Sequence, residues 1–108
     1  MEMLETLWNR KEYAEALEFY KRACDLSPDS ILARERKAGV LLTLRDFDNA
    51  ATELLALKQL APRKAHVYVL LGRMYRMTGE NGKALQNFTI ALSLKPQVGP
   101  SHFLFLKP

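Results

Sequence analysis

Apolar side chains recur along this chain at the spacing of an α-helix. Between residues 65 and 78, for example, Val67, Leu70, Leu71, Met74 and Tyr75 fall on one helical face. No segment shows the sustained alternation of apolar and polar residues that is typical of a strand. The pattern predicts an all-α protein with helices over residues 2–9, 12–26, 30–44, 47–60, 65–78 and 81–94.

Residues suited to helix ends flank three of these predicted helices. Asp29 and Ser30 precede the third helix and Asp46 precedes the fourth. Side-chain oxygens at such positions accept hydrogen bonds from the free N–H groups of the first turn. Gly79 follows the fifth helix, where a residue in the left-handed conformation commonly closes a helix.

A second, longer pattern is superimposed on the helical one. It is carried by Pro28, Pro62 and Pro96, by the leucines two residues before them, and by Ala16, Ala50 and Ala84, all evenly spaced. Because proline cannot continue a helix interior, each proline ends one unit. A period of about 34 with these residues resembles the tetratricopeptide repeat (TPR) family. The resemblance implies antiparallel helix hairpins stacked in a right-handed superhelix, with about two and a half repeats in residues 1–96.

The repeats differ in how fully they match the family pattern. Residues 65–96 fill every position, with Tyr68, Leu71, Gly72, Tyr75, Ala84, Phe88, Ala91 and Pro96. In residues 31–62, Arg34 and Lys37 stand where a large apolar residue and leucine are usual. Lys37 is expected to lay its methylene stem over apolar neighbours and keep its ammonium in water. A contact with a partner is the alternative.

Both ends of the repeat array depart from the pattern. Residues 1–28 are predicted to form a partial repeat, in which only Met3, Leu4 and Leu7 match core positions of the first helix. After Pro96, residues 97–108 form an irregular tail that contains the apolar run 103–106. Either this run folds back over the last hairpin, or the array continues and the terminus is aberrant.

The chain shows no pattern typical of a metal site or of a catalytic centre. Its single cysteine, Cys24, excludes an internal disulfide and is interpreted as a small packed side chain. Cys24, His66 and His102 do not have the spacing of a zinc site. There is no glycine-rich phosphate loop and no nucleophile with a base at suggestive spacing. We therefore expect no enzyme activity, no metal and no cofactor.

Charge and hydropathy narrow the class of partner. No apolar run approaches the roughly 18 residues of a membrane span, and the N-terminus lacks the core of a signal peptide. We expect a nuclear or cytoplasmic protein without membrane contact. The net charge is +4, but basic residues are scattered among acidic ones and aromatic residues occupy core positions. We expect no nucleic acid binding. An RNA-associated helical repeat is the alternative from another class.

In TPR arrays the first helix of each hairpin lines a concave groove. The groove positions fall on His66, Val69, Arg73, Arg76 and Met77 in one unit, and on Leu32, Glu35 and Leu42 in the preceding unit. Arg73 and Arg76 are three residues apart, so both project from one helical face. Two guanidinium groups in this arrangement are suited to hold a carboxylate. The alternative is a pair of solvated arginines on an open helix.

The amino-acid sequence of the last two repeats indicates a more specific resemblance than the general TPR pattern does. Residues 54–62, 66–75 and 84–92 closely resemble the last repeats of the cell division cycle protein 27 family, scaffold subunits of the anaphase-promoting complex. The resemblance implies a non-catalytic role in a ubiquitin ligase that drives mitotic exit. It also implies that the partners are other TPR subunits and the Ile-Arg tails of activator proteins. A homodimer is not expected, because the dimerising half of the family is missing. An unrelated TPR adaptor is the alternative.

Overall fold

The computed structural model describes residues 2–94, with side chains from residue 10 onward. The described residues form α1 (Glu2–Leu26), α2 (Ile31–Thr43), α3 (Phe47–Leu60), α4 (Ala65–Met77) and α5 (Asn81–Leu94), without a strand. The prediction of an all-α fold is confirmed. The predicted irregular tail over 97–108 lies outside the described residues.

The predicted helix boundaries and caps hold for α2 to α5. Ser30 accepts a hydrogen bond from the backbone N–H of Ala33 at 3.2 Å, and the Asp46 carboxylate accepts one from Asn49 N–H at 3.4 Å. Gly79 has a φ of 88°, the left-handed conformation that its sequence position predicts. The capping residues in the sequence therefore predicted these helix ends correctly.

The prediction of two separate helices over 2–9 and 12–26 is wrong, because α1 is one helix of 25 residues. In the two later hairpins, a residue with positive φ lies in the turn, Arg45 at 63° and Gly79 at 88°. Lys11 stands one repeat period before Arg45 but stays helical. Its neighbours include neither glycine nor proline, and lysine and arginine favour the helix. Nothing local therefore interrupts α1.

The described residues divide into two compact units, 2–60 and 61–94. In the first unit α2 packs against both α1 and α3, and in the second α4 packs against α5. The buried apolar side chains of the first unit are Ala38, Val40, Leu41, Leu42, Ala50, Leu54 and Leu57. Those of the second are Ala65, Val67, Tyr68, Leu70, Leu71, Met74, Ala84 and Ala91. The alanines at the repeat period, Ala50 and Ala84, are both buried.

A charged cluster of Arg34, Lys37 and Glu53 joins α2 to α3. The Lys37 ammonium lies 3.1 Å from a carboxylate oxygen of Glu53, and Arg34 lies 4.0 Å from the other oxygen. The expectation that Lys37 sends its ammonium to water is therefore wrong. The hairpin brings Glu53 within reach of Lys37, and both side chains are largely covered, so a direct ion pair forms.

Candidate peptide-binding surface on helix α4

The exposed residues of α4 form a single narrow stripe. His66, Arg73 and Arg76 are exposed, while Val69 and Met77 are half-buried. The first four are spaced by three or four residues and Met77 lies four residues after Arg73, so all five are on one face of the helix. Most of the remaining α4 residues are buried, so this stripe is the part of the helix that a partner can reach.

The stripe is basic, because α4 contains Arg73 and Arg76 and no acidic residue. Neither guanidinium forms an ion pair with any residue that the structure describes. The next acidic residue along the chain, Glu80, lies 3.4 Å from the ammonium of Lys83. The two arginines therefore keep their hydrogen-bond donors available for an anionic group of a partner.

The predicted groove positions of α2 do not form an equivalent stripe. Glu35 is 5% exposed and Leu42 is 0% exposed, so their side chains offer no surface to a ligand. Leu32 is exposed, as predicted for a groove position. These three residues belong to the first unit, whereas the α4 stripe belongs to the second. The structure therefore places five of the eight predicted site residues together, on α4.

Sequence reasoning missed Arg36, which is exposed on the open face of α2. This face carries Leu32, Arg36, Gly39 and Thr43, at spacings of four, three and four residues. A helical count from Leu32 places Arg36 one turn further along the same face. The helical count was available in the sequence, but the expected groove positions selected Glu35 instead.

A cleft of 320 Å³ lies within the first unit, lined by Leu17, Lys21, Lys37, Leu41, Asp46, Asn49, Thr52 and Glu53. Several of the polar side chains that line this cleft already form ion pairs or hydrogen bonds with one another. Lys37 pairs with Glu53, and both carboxylate oxygens of Asp46 accept hydrogen bonds from Asn49. We therefore assign no ligand to this cleft.

Over residues 10–94, no group of three histidine, cysteine or acidic side chains is placed to hold a metal ion. Among the described helices, none combines the length and apolar character that a membrane span needs. Cys24 is half-buried on α1. The basic stripe of α4 is thus the clearest candidate site on these residues.

Comparison with known proteins agrees with the helical hairpins. Residues 33–98 match a family model described as Tetratricopeptide repeat, and residues 1–30 match a second model with the same description. A solved structure of MamA MSR-1 C2 superposes with a TM-score of 0.72 at 21% identity, covering 89% of this chain and 56% of that one. At this identity the likeness concerns the fold alone.

Curated relatives are more similar in sequence. The chain is 48% identical over 84 residues to anaphase-promoting complex subunit 3 of Schizosaccharomyces pombe, covering 78% of the chain and 13% of that protein. It is 36% identical over 86 residues to cell division cycle protein 27 homolog B of Arabidopsis thaliana, covering 80% and 12%. The chain thus spans about an eighth of the length of these two relatives. The chain belongs to the tetratricopeptide repeat family, and its sequence is similar to these cell-cycle subunits.

Proposed function

We propose that this chain is a non-catalytic scaffold for protein–protein interaction that holds a peptide of its partner on the exposed stripe of α4. The observation that carries this proposal is the pair Arg73 and Arg76, exposed on a helix face without acidic residues. Similarity to anaphase-promoting complex subunit 3 supports a role inside a multisubunit assembly, in the nucleus or cytoplasm.

The chemistry of the stripe suits a peptide with a free carboxylate. A guanidinium group presents planar N–H donors that match the two oxygens of a carboxylate. Arg73 and Arg76 are one helical turn apart, so one carboxylate is within reach of both. Val69 and Met77 are half-buried on the same face and offer apolar contact to a neighbouring side chain of the peptide. Together they favour a ligand with an apolar residue close to an anionic end.

The partner that we propose first is the C-terminal tail of an activator protein, ending in Ile-Arg. Such a tail has an apolar isoleucine as its penultimate residue and a free carboxylate on its last residue, two groups that the stripe is suited to contact. Neighbouring TPR subunits of the same assembly are the second partner. The mechanism is capture of a peptide, without any covalent step.

The test is a titration of the folded chain with a labelled peptide that ends in Ile-Arg, against the same peptide amidated at its C-terminus. We expect binding of the free acid and at least about tenfold weaker binding of the amide, since a hydrogen bond to a charged group contributes about 1.5–3 kcal/mol. Arg73→Ala and Arg76→Ala are each expected to weaken binding of the free acid to a similar degree.

Arg22→Ala is the matched control, because it removes an exposed arginine from α1 in the other unit. Equal loss of binding in all three variants would mean that net charge alone attracts the peptide. No binding by a chain with full helix content would exclude the tail-receptor role. A steep fall of affinity with salt, shared by peptide and single-stranded RNA, would instead favour the RNA-associated alternative.

A further inference from the structure

The two units differ in how their charges are balanced. Over residues 10–60, nine basic residues are matched by nine acidic ones. Residues 61–94 contain five basic residues and one acidic residue, a net charge of +4. That acidic residue, Glu80, lies 3.4 Å from the ammonium of Lys83. The positive charge of the second unit is therefore largely uncompensated, and it attracts anionic groups of a partner.

Polar donors of this unit are not confined to Arg73 and Arg76. Arg63 lies in the turn before α4 and His66 lies in the first turn of that helix, and both are exposed. Neither side chain forms an ion pair or a hydrogen bond with the residues that the structure describes. The start of α4 thus offers a second set of donors, in addition to the two arginines.

The turn that carries Arg63 is held against α4. The backbone N–H of Lys64 donates a hydrogen bond of 3.2 Å to the carbonyl oxygen of Ala61, which closes the turn. The hydroxyl of Tyr68 donates one of 2.7 Å to the carbonyl oxygen of Pro62. Because these bonds fix the backbone on both sides of Arg63, this residue is held beside the first turn of α4.

The spacing of the two sets of donors defines a length of peptide. His66 lies seven and ten residues before Arg73 and Arg76. At about 1.5 Å per residue, this separation is about 10–15 Å along the helix axis. An extended peptide rises about 3.3 Å per residue, so about three to five of its residues span the same distance. Val69 is half-buried on the same face, between the two sets.

We propose that the peptide bound on α4 has an acidic side chain about three to five residues before its terminal carboxylate, and that this side chain contacts Arg63 and His66. The inference rests on the proposed function, since it takes the terminal carboxylate to lie at Arg73 and Arg76. It fixes the direction of the peptide, whose chain runs the same way as α4. It also defines the class of partner, a C-terminal segment with an acidic residue upstream of the apolar one.

A single-stranded nucleic acid is the other polyanion that a basic surface attracts. Its binding uses aromatic rings on which the bases stack. Among residues 61–94, Tyr68 is buried and Tyr75 and Phe88 are half-buried, so no aromatic ring of this unit is exposed. The surface therefore favours an acidic peptide over a nucleic acid.

The test uses the full chain and four versions of one peptide that ends in Ile-Arg. They carry glutamate or glutamine four residues before the last one, each with a free or an amidated C-terminus. We expect the glutamate peptide to bind about two- to fivefold more tightly than the glutamine peptide, the range for contacts between exposed opposite charges. This preference should fall in high salt, which screens exposed charges. An equal preference for glutamate placed ten residues upstream would overturn the proposed spacing.

Substitutions in the protein separate the two ends of the stripe. Arg63→Gln and His66→Ala are each expected to reduce the preference for glutamate and to leave the preference for the free acid unchanged. Arg73→Ala is expected to do the reverse. Lys83→Gln is the matched control, because it removes one positive charge from α5 of the same unit. Equal effects of Arg63→Gln and Lys83→Gln would mean that net charge alone attracts the acidic residue, and would overturn the inference.

The inference and the proposed function fail separately in this experiment. Equal binding of the glutamate and glutamine peptides, with the free acid still preferred over the amide, would overturn the inference and leave the proposed function standing. No binding of any of the four peptides by a chain with full helix content would overturn both. Displacement of the glutamate peptide by single-stranded RNA that binds more tightly would favour a nucleic acid as the partner and overturn the inference.

Discussion

A Cβ atom on Gly72 of α4 would lie 2.6 Å from a ring carbon of Phe88 on α5. The phenylalanine ring occupies the space that the missing side chain leaves open. The two helices of the second hairpin can approach this closely because one of them presents glycine at the contact. Gly72 and Phe88 therefore act as a complementary pair in the packing of the second unit.

Gly72→Ala is expected to destabilise the protein by up to about 2 kcal/mol, because forcing a methyl group into a filled site costs about 1–3 kcal/mol. The gain in helix propensity from glycine to alanine, about 1 kcal/mol, offsets only part of that cost. The measurement is the free energy of unfolding in urea, followed by far-UV circular dichroism.

Gly39→Ala is the control for this substitution. Gly39 is also inside a helix, but a Cβ atom there would meet nothing within 4 Å. Only the gain in helix propensity from glycine to alanine applies here, so we expect this variant to be more stable by about 0.5–1 kcal/mol. If the two variants shifted stability in the same direction, the Phe88 ring would not limit the approach of α4 and α5.

We expect substitutions at equivalent positions of the two hairpin turns to have opposite effects on thermal stability. Gly79 has a φ of 88° and Arg45, one repeat period earlier, has a φ of 63°. Because a side chain in the left-handed region costs about 1–2 kcal/mol, Gly79→Ala should lower the melting temperature. Arg45→Gly should raise it, although less, since Arg45 also lies 5.4 Å from the ring centre of Phe47. Shifts of the same sign in both variants would argue against strain at Arg45.

The ion pair between Lys37 and Glu53 is expected to contribute measurably to stability. Their side chains are 21% and 16% exposed, so water screens the 3.1 Å contact only partly. A double-mutant cycle with Lys37→Met and Glu53→Gln should give a coupling energy of about 1 kcal/mol. The measurement is the free energy of unfolding of the four proteins at low salt.

The exposed pair Lys83 and Glu80 provides the comparison, at 3.4 Å with side chains 58% and 50% exposed. Its coupling energy in an equivalent cycle should be about 0.3–0.5 kcal/mol and should largely vanish in high salt. The coupling of Lys37 with Glu53 should persist in high salt. Equal couplings with equal salt dependence would mean that partial burial adds nothing to the first pair.

The hydroxyl of Tyr68 ties α4 to the turn before it. It donates a hydrogen bond of 2.7 Å to the carbonyl oxygen of Pro62. Tyr68→Phe should therefore reduce the free energy of unfolding by about 0.5–1.5 kcal/mol. Tyr75→Phe, on the same helix, is the control and should be close to neutral. A neutral Tyr68→Phe would show that water replaces the lost donor at Pro62.

The sequence predicted the exposed face of α4 better than the exposed face of α2. On α4 the apolar residues are numerous and regular, so counting along the helix leaves only one stripe for His66, Arg73 and Arg76. Helix α2 mixes charged residues into its covered faces, with Glu35 buried and Lys37 paired to Glu53. Residue type therefore did not identify its open face, and Arg36 was missed.

Patterns within the chain determined most of the helices, their caps and the period of the repeat. Propensity, capping and helical spacing act over a few residues, so they can be read from the chain itself. Only the tertiary structure decided that Leu42 is buried and that Lys37 meets Glu53. These outcomes depend on which helix covers which face. Helix packing depends on interactions between residues that are distant in sequence, and a local sequence pattern does not contain this information.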